Sequence, residues 1–134
     1  MSTPDLAWLM TQLRNDLPGC HNVLLTSSDG LLRASDEHFE RGKAETLAAL
    51  CSSLVSSSLA FGKLYDEGRS LRTVVIDLKR HQLAVVNAGA GSILAVVADA
   101  DADPAMIGTA MMQMVEKLAE HLGTAARAPE RTSS

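Results

Sequence analysis

Four histidines, two cysteines and sixteen acidic side chains are the groups through which this 134-residue chain could do chemistry. His21, His38, His81 and His121 fall in four different segments, and none forms a pair at metal-ligating helical spacing. Each reads as a surface residue. Cys20 and Cys51 supply neither a disulfide framework nor a zinc spacing. Asp29, inside the stretch LLTSSDGLLRAS (Leu24 to Ser35), has no second acid or histidine beside it to share acid–base work. Asp99, Asp101 and Asp103 alternate like the start of a calcium loop. Pro104 stands where that loop turns on glycine, however, and Ala110 stands where it needs its bidentate glutamate. The acids suit a helix N-terminus instead, where the dipole favours negative charge. NAGAGS (Asn87 to Ser92) is half of a dinucleotide fingerprint, followed by a strand where a helix should open. Gly62-Lys63 lacks the hydroxyl residue and the glycine-rich loop of a phosphate cradle. The expectation is a protein with no catalytic set, no metal and no cofactor, whose function lies on its surfaces.

The totals narrow the partners. The formal net charge is −4, and Lys79-Arg80 is the single adjoining basic pair, so a nucleic-acid partner is not expected. The unbroken apolar runs are shorter than a bilayer requires, so no membrane span is expected, and the start MSTPDLAW lacks the regions of a signal peptide. Free thiols in this setting point to the cytoplasm. Apolar residues make up 46% of the chain and aromatics only 3%, so Leu, Val, Ala and Met must build one core. One domain over residues 1–123 is expected, followed by a flexible tail over 124–134, TAARAPERTSS.

The elements follow from periodicity. Thr3-Pro4-Asp5 opens a helix by cap, proline and dipole. Leu6, Leu9, Met10, Leu13 and Leu17 recur along one stripe before Pro18-Gly19 ends it, with Trp8 on the opposite side. The stretch around Ser-Asp-Gly then reads as strand, tight turn and strand, because Asp29-Gly30 tolerates positive φ. The longest helix is expected from about Phe39 to Tyr65. Leu47, Leu50, Cys51, Leu54, Phe61 and Tyr65 form its expected inward face, with Cys51 a buried small hydrophobe. Its opposite face holds Ala49, Ser52, Ser53, Ser56 and Ala60, and no charge occurs between Glu45 and Lys63. A helix that is solvated on its outer side normally carries Lys and Glu there. Small uncharged residues instead admit a second backbone. Three strands follow, Leu71 to Leu78, His81 to Ala88 and Ser92 to Asp99, joined by Lys79-Arg80 and Gly89-Ala90-Gly91. Asp103-Pro104 opens the last helix, whose stripe is Met106, Ile107, Met111, Met114, Val115, Leu118 and Leu122, ending at Gly123.

Three features together resemble the roadblock/LC7 domain family. They are a first helix running into LRNDLPGCHNVLLTSSDGLLRAS, the uncharged Ala/Ser/Leu helix, and VVIDLKRHQLAVVNAGAGSILAVVADADADPAMIGTAMMQMVEKLAEHL. The likeness runs from about Asp5 to Leu122. Within the family the chain is most similar to the roadblock proteins of actinobacterial conservon operons and to bacterial gliding-motility GTPase regulators. The resemblance implies an α+β, profilin-like domain of order α-β-β-α-β-β-β-α. Its five-stranded antiparallel sheet carries the long middle helix on one face and the two terminal helices on the other. It also implies a non-enzymatic homodimer that binds a small Ras-like GTPase in a bacterial signalling system and stimulates hydrolysis indirectly. A sensor histidine-kinase-like protein is a further implied partner, with recruitment to the inner membrane face through partners. In the family pattern the strand after the long helix pairs with its copy. Here that places Leu71, Thr73, Val74, Val75 and Ile76 at the dimer seam, together with Ala49, Ser52, Ser53, Ser56 and Ala60. Ser52, Ser56, Lys63, Arg69 and Arg72 are the implied GTPase contacts, the two arginines because Ras-like hydrolysis is accelerated by an arginine on the transferring phosphate. The competing reading is a small-ligand sensory domain, against which the scarcity of polar core residues argues.

Overall fold

The computed structural model describes residues 5–66 and 71–123. Helix α1 (Leu6–Asp16) leads into strands β1 (Cys20–Ser27) and β2 (Leu32–Ser35). Helix α2 (Arg41–Tyr65) connects them to β3 (Val74–Asp77), β4 (His81–Gly89) and β5 (Ser92–Asp99), and α3 (Pro104–Leu118) follows. A π-helical turn over Ala119–Gly123 extends α3. The five strands form one antiparallel sheet, as the resemblance implied, and their order across it is β2-β1-β5-β4-β3.

Strand alternation divides the core in two. Val23, Leu25, Ala84, Val86, Leu94 and Val96 face α1 and α3, meeting Met10, Leu13, Met111 and Leu118. Leu24, Val85, Ile93 and Ala95 face α2 and meet Cys51 and Val55. Both faces of the central strands are therefore apolar, because both are covered.

Local chemistry sets the element ends. Asp5 Oδ1 accepts the Ala7 amide at 3.3 Å. Thr3 and Pro4, read as parts of that cap, lie outside the described residues. Glu40 caps α2 by accepting the amides of Gly42 and Lys43, both at 2.9 Å, and these bonds hold its carboxyl below the usual range. Asp103 caps α3 through the Ala105 amide at 2.9 Å, so this acid of the alternating run serves a helix start. Gln82 Nε2 pins the chain between β5 and α3 by donating to the carbonyls of Asp99 and Ala102, each at 3.0 Å.

Asp36 is the buried acid that joins the layers. Its Oδ2 accepts the Val23 amide at 2.7 Å and Asn22 Nδ2 at 3.3 Å, while Oδ1 accepts the His38 amide at 2.9 Å. Arg14 Nε lies 3.8 Å from Oδ1 and donates to the His21 carbonyl at 2.8 Å. One carboxylate thus ties α1, β1 and the chain entering α2.

Three expectations need correction. The strand expected from Leu71 to Leu78 is paired only over Val74–Asp77, since β4 partners run from Val85 to Gln82. Met106, placed in the inward stripe of α3, is exposed, and Ile107 is the buried residue beside it. The inward face of α2 consists of Ala44, Ala48, Cys51 and Val55, flanked by Leu47 and Leu59. Leu50, Phe61 and Tyr65 point outward. Small residues face inward because they bring the helix close to the sheet, and the larger side chains are left to the flank.

Burial pushes the thiols of Cys20 and Cys51 up to about 11 from 9.0. With folded values raised, their contribution to stability is intact below pH 9 and is lost as pH rises toward 11. Native protein at pH 8 should therefore resist iodoacetamide at both sites, while protein in urea should react at both, as read by mass spectrometry.

Candidate interaction surfaces

Helix α2 is the element on which the surface question turns. It is long and apolar enough to cross a bilayer by length and composition, with an 18-residue stretch of mean hydropathy 1.4. Its serines and alanines interrupt no count of charge, which is why short apolar runs understated it. In the domain it lies on the sheet through Ala44, Ala48, Cys51 and Val55.

At 100° per residue, the rest of its circumference divides into three strips. One flank carries Ser52, whose hydroxyl donates to the Ser28 carbonyl at 2.7 Å. The β1–β2 turn packs here: Gly30, at φ +90°, comes so close that a Cβ would meet Ser52 Cβ at 3.3 Å and Ala49 Cα at 3.4 Å. The Ser-Asp-Gly stretch is thus a bend, closed by Gly30 N–H donating to the Ser27 carbonyl at 3.0 Å. Ser52 and Ala49 are small partly because this turn needs the room. Gly30→Val should cost about 1–3 kcal/mol through positive φ and crowding, read as a lowered urea midpoint.

The top strip holds Ala49, Ser53, Ser56 and Ala60, all exposed, as is Lys63. The other flank turns toward β3. Leu47, Leu50, Leu54, Ser57, Phe61 and Leu64 recur along it at alternating three- and four-residue steps, the spacing of a coiled-coil seam. Leu50 is 55% exposed, Phe61 64% and Leu64 78%. The Phe61 and Tyr65 rings lie 5.4 Å apart, a formed aromatic pair at the surface. Sequence reasoning missed this flank as a surface; its heptad spacing was the signal that could have found it.

Beside the flank lies the β3 edge. Among the described residues β3 pairs with β4 alone, leaving its other side open. Val75 is 57% exposed, Val74 and Ile76 are half-buried on the α2 face, and Thr73 is exposed. A groove of about 480 Å³ separates α2 from this edge, lined by Phe61, Gly62, Leu71, Arg72 and Val74. A second groove, about 560 Å³, lies by the N-terminal half of α2 between Leu47, Leu50, Phe39 and the His21 and His81 rings. There His21 Nε2 bonds Asp99 Oδ1 at 2.6 Å. The structure brings Leu71, Val74, Val75, Arg72 and the α2 flank together; Ser52 lies on the far flank, and Arg69 lies outside the described residues.

The comparisons agree with this architecture. The family model of the roadblock/LC7 domain matches residues 6–98. A roadblock/LC7 domain from Streptomyces avermitilis is 34% identical, with TM-score 0.84, covering 89% of this chain and 98% of that one. Myxococcus xanthus MglB is 15% identical, with TM-score 0.81, covering 92% and 99%. Acanthamoeba castellanii profilin IA shares the fold at 13% identity and TM-score 0.57, covering 90% and 99%. No curated protein sequence matches this chain. The chain belongs to the roadblock/LC7 family.

Proposed function

We propose that this protein is a homodimeric regulator or scaffold that binds a small Ras-like GTPase in a bacterial signalling system. One observation carries the reading: an apolar heptad flank on α2 adjoins the open edge of β3. An open edge with Val74, Val75 and Ile76 invites pairing, and a two-fold copy satisfies it in a self-limiting way. Antiparallel pairing of β3 with its copy lays the two α2 helices side by side along Leu50, Leu54, Phe61 and Leu64. It also brings the last turn of one α2 beside Leu47 and Leu50 of the other, where the 560 Å³ groove waits.

The seam then uses the flank rather than the small-residue strip. Ala49, Ser53, Ser56 and Ala60 of both copies remain on top as a charge-free platform beside Lys63. That platform is where the GTPase docks, with its switch loops pushed into place and Arg72 at the margin. The protein acts by holding its partner, in the cytoplasm or at the inner membrane face through that partner. A sensor histidine-kinase-like protein completes the assembly.

The test uses GTPases from the same cell as bait and Ser56→Glu as the variant. Wild type should co-elute with one GTPase and change its hydrolysis rate, and Ser56→Glu should keep the dimer mass and lose co-elution by about tenfold in affinity. If Ser56→Glu retains full GTPase affinity, the platform assignment is wrong.

A further inference from the structure

On the sheet face opposite α2, a groove of about 650 Å³ runs between α3 and strands β3 and β4. Its walls include Val75, Ala84, Val86, Gly108, Met112 and Glu116. Ile107 and Met111 anchor α3 from beneath, while Met112 stands 56% exposed over the opening.

Gly108 is the informative residue. Glycine in the middle of a helix costs about 1 kcal/mol relative to alanine, so its presence asks for a reason. Nothing among the described residues gives one: a Cβ built there meets none of their atoms within 4 Å. Its φ is not in the left-handed region that would require glycine. A glycine that faces open space in an apolar groove leaves room for another backbone to approach α3 closely. The exposed methionine one turn on is a flexible side chain that moulds to varied apolar surfaces.

The charge of the groove is one-sided. Among its described lining residues Glu116 is charged and none is basic. Asp77 shares the face of β3 that carries Val75, and Asp103 caps α3 at the other end of the groove. The ladder bonds of the floor run between β3, β4 and β5, and in the proposed dimer the outer edge of β3 is taken by its copy, so an added strand has no backbone partners there. A helix laid in the groove needs none. From Pro104 to Glu116 α3 spans about 18 Å, room for about three helical turns.

We propose that this groove docks an amphipathic helix of another protein, with an apolar stripe against Val75, Val86 and Met112 and Lys or Arg on its flanks against the acidic rim. The site lies on the other side of the sheet from the GTPase platform and does not depend on it.

The probe is a fluorescein-labelled helical peptide of about three turns, with leucines at i, i+4 and i+7 and lysines on both flanks. Its twin carries glutamates in place of the lysines. The lysine peptide should bind the full-length protein saturably by anisotropy, and the glutamate twin at least about tenfold more weakly. Gly108→Arg fills the groove and improves helix propensity, so it should keep the melting temperature and solution mass while losing the lysine peptide by about tenfold or more. Glu116→Lys should narrow or reverse the preference between the peptides. Equal binding of both peptides, or unchanged binding by Gly108→Arg, overturns the proposal. A Gly108→Arg protein with altered solution mass also overturns it, because the groove would then be covered by a second copy. Loss of GTPase binding by Ser56→Glu leaves these outcomes unmoved, so the two readings fail separately.

Discussion

Phe61→Asp combined with Leu64→Asp should convert the protein to a monomer at micromolar concentration, with its thermal unfolding almost unchanged. Both side chains protrude from the isolated chain, so the fold loses little when they are replaced. In the proposed seam each is taken out of water, which stabilises the pair by about 1.5–3 kcal/mol per side chain. The two-fold axis applies the loss twice, and the new carboxylates would face apolar surface. The sum exceeds about 6 kcal/mol, or more than about ten-thousandfold in the dissociation constant. Sedimentation velocity reads the change directly. Ser53→Asp, on the top strip, should leave the dimer intact. If both variants dissociate equally, the flank is not the seam.

Asp36→Ala should destabilise the fold strongly. The carboxylate is 2% exposed and receives the Val23 and His38 amides and the Asn22 side chain, with Arg14 nearby. Alanine would leave buried donors without an acceptor and Arg14 without its counter-charge. Leaving the Val23 and His38 amides without an acceptor costs about 1–3 kcal/mol each. For a domain of this size the two together mean a melting temperature lowered by about 10–20 °C. Asp36→Asn keeps one oxygen acceptor and should recover part of the loss. A melting temperature within about 3 °C of wild type for Asp36→Ala would show that the network contributes little.

The strand order along the chain, the aspartate cap of α3 and the hairpin bend were legible because they are local, whereas at α1 the capping oxygen expected of Thr3 is supplied by Asp5. Alternation from Val23 to Thr26 separates two faces, and both faces are occupied as expected. The inward face of α2 was misread for a physical reason. Hydrophobicity ranks Leu50 and Phe61 above Ala44 and Ala48, yet closeness to the sheet selects the smaller pair. The uncharged stretch correctly marked α2 as unusual, while Ser52 and Ala49 owe part of their small size to the Gly30 turn. Asp36 gave no signal in sequence because its partners come from α1, from β1 and from the turn that follows it. The α3 groove left one trace, a glycine at a position that a helix would otherwise fill with alanine.

The pairing of β3 with its copy is tested most directly by the mass of the wild-type protein in solution. Multi-angle light scattering across the micromolar range should give twice the 14.2 kDa chain mass. A constant 14.2 kDa at every concentration would contradict the account, because the β3 edge and the α2 flank would then both face water.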